Sequence, residues 1–392
     1  MIDWQDARAR ILALGAPVRL EAVPLVTATR RWAATDIVAR RTQPARDLSS
    51  MDGYAIRFDD MPGPWRVVGT SAAGTPYASV VGDREAVRIL TGAAVAAGSD
   101  TIVIQEDVRR DGELITLSGA GPATRAAHVR VAGSDFSVGQ VLIAAGACLT
   151  PTRIGLAAAG GHGSLPVRRR VRVALLSTGD ELVPPGGDAG TDHLPDANGA
   201  MLAALLGGLP VEVIDLGIVP DDADALAVVF ARAAEWDVLV TSGGASVGDH
   251  DLVRPALIAA GAVVDFWKVA MRPGKPLMAG RLGDCVVLGL PGNPASAFVT
   301  ATLFLKPLIA HLAGAGEPCP PLIGAELAAP LPAVGPRTDF VRARWDAGRL
   351  APLPSLDSGA LSPLALADAL VVRHAGSSAF VAGDRVDAIM LG

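Results

Sequence analysis

Val171-Arg172-Val173-Ala174-Leu175-Leu176 runs straight into Ser177-Thr178-Gly179-Asp180-Glu181-Leu182: a near-continuous apolar strand, then a hydroxyl pair, a glycine free to turn and two acids. A strand this apolar is buried on both faces, the condition of a parallel sheet covered by helices. The same texture repeats on its C-terminal side. Residues 198–206, 222–234, 251–260 and 295–308 read as helices, and residues 211–216, 238–242, 263–267 and 286–290 as strands. Strands alternating with helices of about ten residues predict a central, doubly wound, mostly parallel sheet over residues 169–315.

The flanks have a different texture. Residues 1–45 read as an amphipathic helix, with Trp4, Ile11 and Leu12 on one side, followed by a second, Arg-rich helical stretch ending near Pro44. Residues 46–130 change to short β-type runs broken by Gly and Pro, such as Trp65–Val68 and Thr101–Ile104. Gly139–Gly163 mixes Pro, Gly and an Ala-rich helix. Arg168-Arg169-Arg170 then leads into the central domain and reads as a solvated face, tolerant of substitution. The Pro-rich run Pro318–Pro321 reads as a linker, and residues 320–392 as a small β-barrel or sandwich. The chain is thus read as multidomain α/β: residues 1–45 plus 131–168, 46–130, 169–315 and 320–392.

Length supports this division, because 392 residues exceed one ordinary core. The chain is 50% apolar and 19% charged, and no run of eighteen apolar residues lacks a charge, Gly or Pro. No membrane span is therefore expected. Met1–Arg10 carries Asp3, Asp6, Arg8 and Arg10 with no apolar stretch, so no signal peptide is expected either. Cys148, Cys285 and Cys319 lie far apart, which predicts a reducing, cytoplasmic setting rather than a disulfide framework or a Cys-based zinc site. A net charge of −6 argues against nucleic acid and anionic membranes as partners.

The chemistry concentrates where the central strands end. Thr178 and Gly179, with Asp180 and Glu181, form the first loop; a capping turn is the plainer reading of that motif alone. The second is Thr241-Ser242-Gly243-Gly244-Ala245-Ser246-Val247-Gly248-Asp249-His250-Asp251. Its glycines leave backbone N–H groups bare for a phosphate. A tight turn accounts for the glycines but not for Asp249 and Asp251. The third loop places Lys268, Arg272 and Lys275 at spacings of four and three, in a stretch stiffened by Pro273 and Pro276. Of 34 basic residues only Lys268, Lys275 and Lys306 are lysine, so two of three ammonium groups sit in one motif. A compact point charge suits a small oxyanion, where arginine imposes a planar fork. The plainer alternative is a solvated basic loop. The fourth, Leu290-Pro291-Gly292-Asn293-Pro294, ends a buried strand and opens a helix, either as punctuation or as a helix N-terminus aimed into the crevice.

These four loops in this order resemble the molybdopterin molybdenumtransferase (MoeA) family, which also includes the C-terminal domain of gephyrin. The resemblance covers nearly the whole chain. Ser50-Met51-Asp52-Gly53-Tyr54-Ala55 resembles the family's M-D-G-Y-A signature, and Arg88-Ile89-Leu90-Thr91-Gly92-Ala93 with Gln105-Glu106 its R-I-x-T-G-A…Q-E pair. Asn198-Gly199-Ala200-Met201-Leu202 and Asp221-Asp222 match further positions. The family usually has lysine where Arg272 stands, and glutamate where Ser134 stands. A small residue is common where this chain has His250.

The resemblance implies insertion of molybdenum from molybdate into adenylylated molybdopterin, with release of AMP and formation of molybdenum cofactor. Two alternatives stay open: the preceding adenylyltransferase step, and a non-catalytic carrier of finished cofactor. It also implies a molybdopterin-binding central fold, a β-rich domain inserted in an elongated linker and dimerisation domain, and a small C-terminal β-barrel. Implied functional positions are Asp52, Thr91, Asp135, Glu181, Asp221, Asp251, Lys268, Arg272 and Lys275. Pro291, Gly292, Asn293 and Pro294 join the glycine loops as implied holders of the substrate. Glu181, Asp221, Asp249 and Asp251 offer oxygen ligands for Mg²⁺. Implied partners are a second copy of the chain, the preceding adenylyltransferase and recipient molybdoenzymes.

Overall fold

A computed structural model describes residues 1–188, 190–244, 252–355 and 357–391. The chain forms two compact units, one of Met1–Thr35, Ala145–Thr150 and Leu165–Gly392, the other of Asp36–Ala144 and Pro151–Ser164.

The larger unit is organised by a six-stranded sheet. Its elements in chain order are β1 (Val171–Thr178), α1 (Ala197–Leu206), β2 (Val211–Val219), α2 (Ala223–Phe230), β3 (Val238–Ser242), α3 (Val253–Ala259), β4 (Val263–Lys268), β5 (Pro276–Leu282), β6 (Cys285–Leu290) and α4 (Pro294–Thr300). The spatial order is β2-β1-β3-β6-β5-β4. The pairings β1–β2, β1–β3 and β3–β6 are parallel, whereas β5 pairs antiparallel with both β6 and β4. The sheet is therefore mixed through β5 alone: the other five strands run in one direction, the mostly parallel arrangement the sequence pattern predicts. The missed strand is β5: Pro276-Leu277-Met278-Ala279-Gly280-Arg281-Leu282 opens on a proline, carries a central glycine and shows no alternation. Gly280 is needed there, since a Cβ would lie 2.4 Å from the Val263 carbonyl oxygen of the adjacent strand.

Alternate residues of β1 go to opposite cores. Val171, Val173 and Leu175 join Leu202, Val240 and Leu288 on one face, while Ala174 and Leu176 join Leu226, Phe230 and Val287 on the other. Helix Trp4–Ala13 adds Trp4, Ala7 and Ile11 to the first core. The second helix expected before Pro44 does not form. Leu20–Pro24 is a strand, Leu25–Thr27 a single 3₁₀ turn, and Ile37–Val38 a short strand. Proline at the end of the first and Arg30 at φ 62° both prevent a helix from propagating.

α4 continues through a π-helical segment, Ala301–Leu305, into a further helix, Lys306–Leu312. Pro294–Leu312 is long and apolar enough to cross a membrane by composition, but its most apolar stretch is 83% buried, as a core helix is. The C-terminal region forms strands Ile323–Glu326, Thr338–Asp346, Arg349–Pro352, Ala369–Arg373 and Arg385–Met390. Met271–Arg272, from the β4–β5 connection, joins them in parallel with Thr338–Asp339. Leu327 bridges Leu350, so the strand run curls back toward its start.

The smaller unit holds a six-stranded sheet in the order Thr101–Ile104, Gly53–Ile56, Glu85–Ile89, Trp65–Ser71, Leu114–Leu117 and Val108–Asp111. This is the β-rich region expected between residues 46 and 130.

Candidate active site at the carboxyl end of the central sheet

β1 is the first strand laid down; β2 returns on one side of it and β3 on the other. That reversal opens a crevice between the carboxyl ends of β1 and β3, the place where open α/β sheets hold ligands. The crevice is lined by Thr178 and Gly179 from β1 and by Ser242, Gly243 and Gly244 from β3. Both glycines are forced. Gly243 has φ 93°, and a Cβ there would lie 2.4 Å from the Thr178 carbonyl oxygen. Gly244 has φ 63°, and its Cβ would lie 2.1 Å from Val253 Cγ2. The backbone can make this approach only without side chains.

Asn198, in the first turn of α1, ties the loops together. Its Nδ2 donates to Ser242 Oγ at 2.9 Å and to the Gly292 carbonyl at 2.7 Å. Among the described residues its Oδ1, which is buried, has no hydrogen-bond partner, and neither has the buried Thr178 Oγ1. Two unpartnered buried oxygens at one crevice are the mark of a site that expects a polar ligand. The helix itself is capped by Asp196, which accepts from the Gly199 N–H at 2.9 Å.

The fourth loop sits beside β3, because β6 is its parallel neighbour. Pro291 is buried, and Asn293 caps α4 with Pro294 at its first turn. Asn293 Nδ2 donates to Ser358 Oγ at 3.0 Å, and the Ala295 N–H donates to the Ser358 carbonyl at 2.9 Å. Behind it Arg342, almost fully buried, donates to the carbonyls of Ser355, Asp357 and Ala360 at 2.6, 3.0 and 3.2 Å. The C-terminal region therefore supports a central-domain loop. Sequence reasoning missed Ser358 and Arg342, since nothing local links residues 342 or 358 to residue 293.

The acids lie at the same end. Glu181 folds back over Gly179, where a Cβ would lie 2.7 Å from its Oε2. The Asp221 N–H donates to Asp180 Oδ1 at 3.2 Å, joining the loops that follow β1 and β2. Ser246, Gly248, Asp249 and Asp251, together with His250, lie outside the described residues. Among the described residues no three His, Cys, Asp or Glu side chains gather as a metal site.

The lysines share this end as well. Two successive antiparallel pairings make β4 run in the direction of β6, so Lys268 closes β4 at the carboxyl edge. Lys275 stands opposite, the Val269 N–H donating to its carbonyl at 3.0 Å. At strand spacings of about 4.8 Å, Lys268 stands roughly 10 Å from the end of β6. Its Nζ lies 4.7 Å from the centre of the Trp267 ring. Arg272 differs from both. Its Nη2 donates to Asp339 Oδ2 at 2.5 Å, so a carboxylate of the C-terminal region, not a bound anion, balances this guanidinium.

In the smaller unit Asp52 and Thr91 meet: the Thr91 N–H and Oγ1 both donate to Asp52 Oδ1, at 2.7 and 2.8 Å. The Thr91 N–H, then its hydroxyl, hold the Asp52 carboxyl below the usual range. Arg88 Nη2 donates to Gln105 Oε1 at 2.6 Å and Nη1 to the Gly53 carbonyl at 3.0 Å. Asp135 is exposed, its N–H donating to the Gln43 carbonyl at 3.1 Å.

Sequence comparison matches three consecutive family regions: the MoeA N-terminal region (domain I and II) over residues 2–161, a probable molybdopterin binding domain over 174–311, and the MoeA C-terminal region (domain IV) over 324–391. A Haemophilus influenzae protein named molybdopterin molybdenumtransferase is 38% identical over 320 residues, spanning 80% of this chain and 78% of its own. The chain belongs to the MoeA family. A Staphylococcus aureus molybdopterin molybdenumtransferase is 32% identical over 99% of this chain and 95% of its own. The solved structure of a molybdopterin biosynthesis MoeA protein from Pyrococcus horikoshii superposes with a TM-score of 0.85 at 28% identity, covering 100% of this chain and 99% of that one. The MoeA fold thus carries the mixed sheet and the crevice described above.

Proposed function

We propose that this chain transfers molybdenum from molybdate to adenylylated molybdopterin, releasing AMP and forming molybdenum cofactor. The observation that carries the reading is the convergence of the Gly243–Gly244 turn, the Asp180–Glu181 and Asp221 loops, Lys268, Lys275 and Pro291–Pro294 at one end of one sheet. The substrates carry a phosphoanhydride and a doubly negative oxide, which need bare N–H groups, ammonium groups and oxygen ligands within one crevice.

The residues divide the work. The Gly244 N–H and the Thr178 hydroxyl can donate to the pterin phosphate, while Asn198 Oδ1 accepts from an N–H of the pterin edge. The first turn of α4, presented by Asn293 and Pro294, adds N–H donors. Lys268 and Lys275 bind molybdate and stabilise charge that develops on the phosphoryl oxygens. Arg272, engaged by Asp339, fixes the loop that carries both lysines instead of clamping the oxyanion. Glu181 and Asp221 supply the hard oxygen donors that suit Mg²⁺, which takes one or two carboxylates plus phosphate and water. Asp249 and Asp251 complete that donor set. When bound, Mg²⁺ supplies charge neutralisation at the phosphoanhydride.

The remaining roles belong to the same proposal. Residues 1–45 plus 131–168 serve as the linker and dimerisation domain of a cytoplasmic homodimer, and Asp52, Thr91 and Asp135 act on the reaction from the N-terminal part. Burial pushes the Cys285 thiol up to about 12, which leaves it protonated and unreactive at neutral pH. The test is direct. Purified protein is given adenylylated molybdopterin, molybdate and Mg²⁺, and AMP is measured. AMP release that depends on molybdate is expected. ATP consumption with molybdopterin, or binding without turnover, would replace this reading with adenylylation or carriage.

A further inference from the structure

The amino end of the central sheet holds a second charged pocket. Arg19, Arg169, Arg170 and Arg172 line it with Glu21 and Glu212, around a volume of about 670 Å³. Two nearby acids already have partners. Glu21 accepts from Arg31 Nη2 at 2.7 Å. Asp237, behind the pocket, takes both arms of the Arg169 fork at 2.6 and 2.7 Å and the Arg172 N–H at 2.8 Å. Arg172 Nη2 lies only at 3.9 Å from Asp237, and among the described residues its buried Nε has no partner. Arg19 and Arg170 are exposed, and among the described residues neither pairs with a carboxylate.

The lining therefore sets three guanidinium groups, those of Arg19, Arg170 and Arg172, against one acid without an ion pair, Glu212. Like charges gathered on one pocket repel unless an anion joins them. The frame is stiff, because Arg169 is locked by its fork and Arg31 is buried behind Glu21. We propose that this pocket is an anion-binding site for a small phosphate-class dianion, either inorganic phosphate and pyrophosphate or the phosphate of a phosphorylated metabolite. It is separate from the crevice: the six residue steps along β1 from Arg172 to Thr178 span about 20 Å. It stands independently of the proposed reaction.

Calorimetric titration of the full chain with inorganic pyrophosphate at low ionic strength tests it. Arg19→Ser with Arg170→Ser should weaken the pocket's association at least tenfold, while Lys268→Ala, in the crevice, should leave that association in place. Glu212→Gln should tighten it about threefold, the direction that removal of one like charge dictates; this opposite sign cannot arise from misfolding. Repeating the titration with inorganic phosphate and with AMP separates a free anion from a carried phosphate. An isotherm unchanged in the double arginine variant, or binding lost in Lys268→Ala alone, would overturn the proposal, as would a Glu212→Gln variant that binds no tighter.

Discussion

The two ends of the central sheet carry opposite solutions to the same problem of placing positive charge. At the amino end the cations are arginines, and two of the three in the Arg168–Arg170 run are tied down. Arg169 forks onto Asp237, and Arg168 Nη1 donates to the Val18 carbonyl at 3.0 Å. At the carboxyl end the cations of the β4–β5 connection include two lysines, the glycines have no room for side chains, and among the described residues polar oxygens lie buried without partners. A planar fork suits permanent attachment within the fold, whereas a compact ammonium group suits an anion that must arrive and leave. Arg272 confirms the distinction from within the lysine loop, because the one arginine there is the one engaged by an internal carboxylate.

Substitution at the glycine turn should give the largest effect. Gly243→Ala puts a Cβ against the Thr178 carbonyl at a positive φ, a strain of about 1–3 kcal/mol before any clash is relieved. Molybdate-dependent AMP release should fall at least a hundredfold, and activity within tenfold of wild type would show that the crevice tolerates a side chain there. Lys268→Ala comes next. It should raise the molybdate concentration needed for half-maximal AMP release about tenfold or more, of the order lost with one charge-assisted contact, and leave pterin binding within a few fold. An unchanged molybdate requirement removes Lys268 from the oxyanion site.

The smallest effect on turnover belongs to the other end. Asp237→Asn should leave AMP release within twofold yet lower stability by about 2 kcal/mol, since it strips the Arg169 fork of its charge partner. The pH dependence has a definite sign. Burial pushes Asp237 up, but Arg169 and the Arg172 N–H outweigh it and hold the carboxyl below the ordinary range. Its contribution is therefore present above the unfolded-state value of about 3.9 and is lost as pH falls through the lower folded value. Denaturant midpoints of wild type and Asp237→Asn should differ at pH 7 and converge in strong acid. Equal midpoints at pH 7 would mean that Arg169 and its neighbours form a solvated face after all.

Much of this contrast was legible in the sequence, and what was not has identifiable causes. Apolar strands ending in Gly-rich loops pointed to the crevice because burial and turn chemistry are local properties. β5 escaped because its Pro and Gly hide an ordinary strand, and with it the sheet's two antiparallel pairings. The Arg168–Arg170 run was expected to be solvated and tolerant; Asp237 lies too far along the chain for sequence to reveal the fork. Distance along the chain likewise concealed Asp339 beside Arg272, and Arg342 and Ser358 behind Asn293. Pairing across tens of residues is set by strand order, which composition does not encode.

One diffraction experiment addresses the convergence of loops most directly: crystals soaked with AMP and molybdate, measured at the molybdenum absorption edge. The anomalous peak should place the molybdate oxygens within hydrogen-bonding distance of Lys268 or Lys275 Nζ, with the AMP phosphate on the Gly243–Gly244 turn of the same subunit. Molybdenum bound on a different face of the unit, with the lysines unengaged, would contradict it.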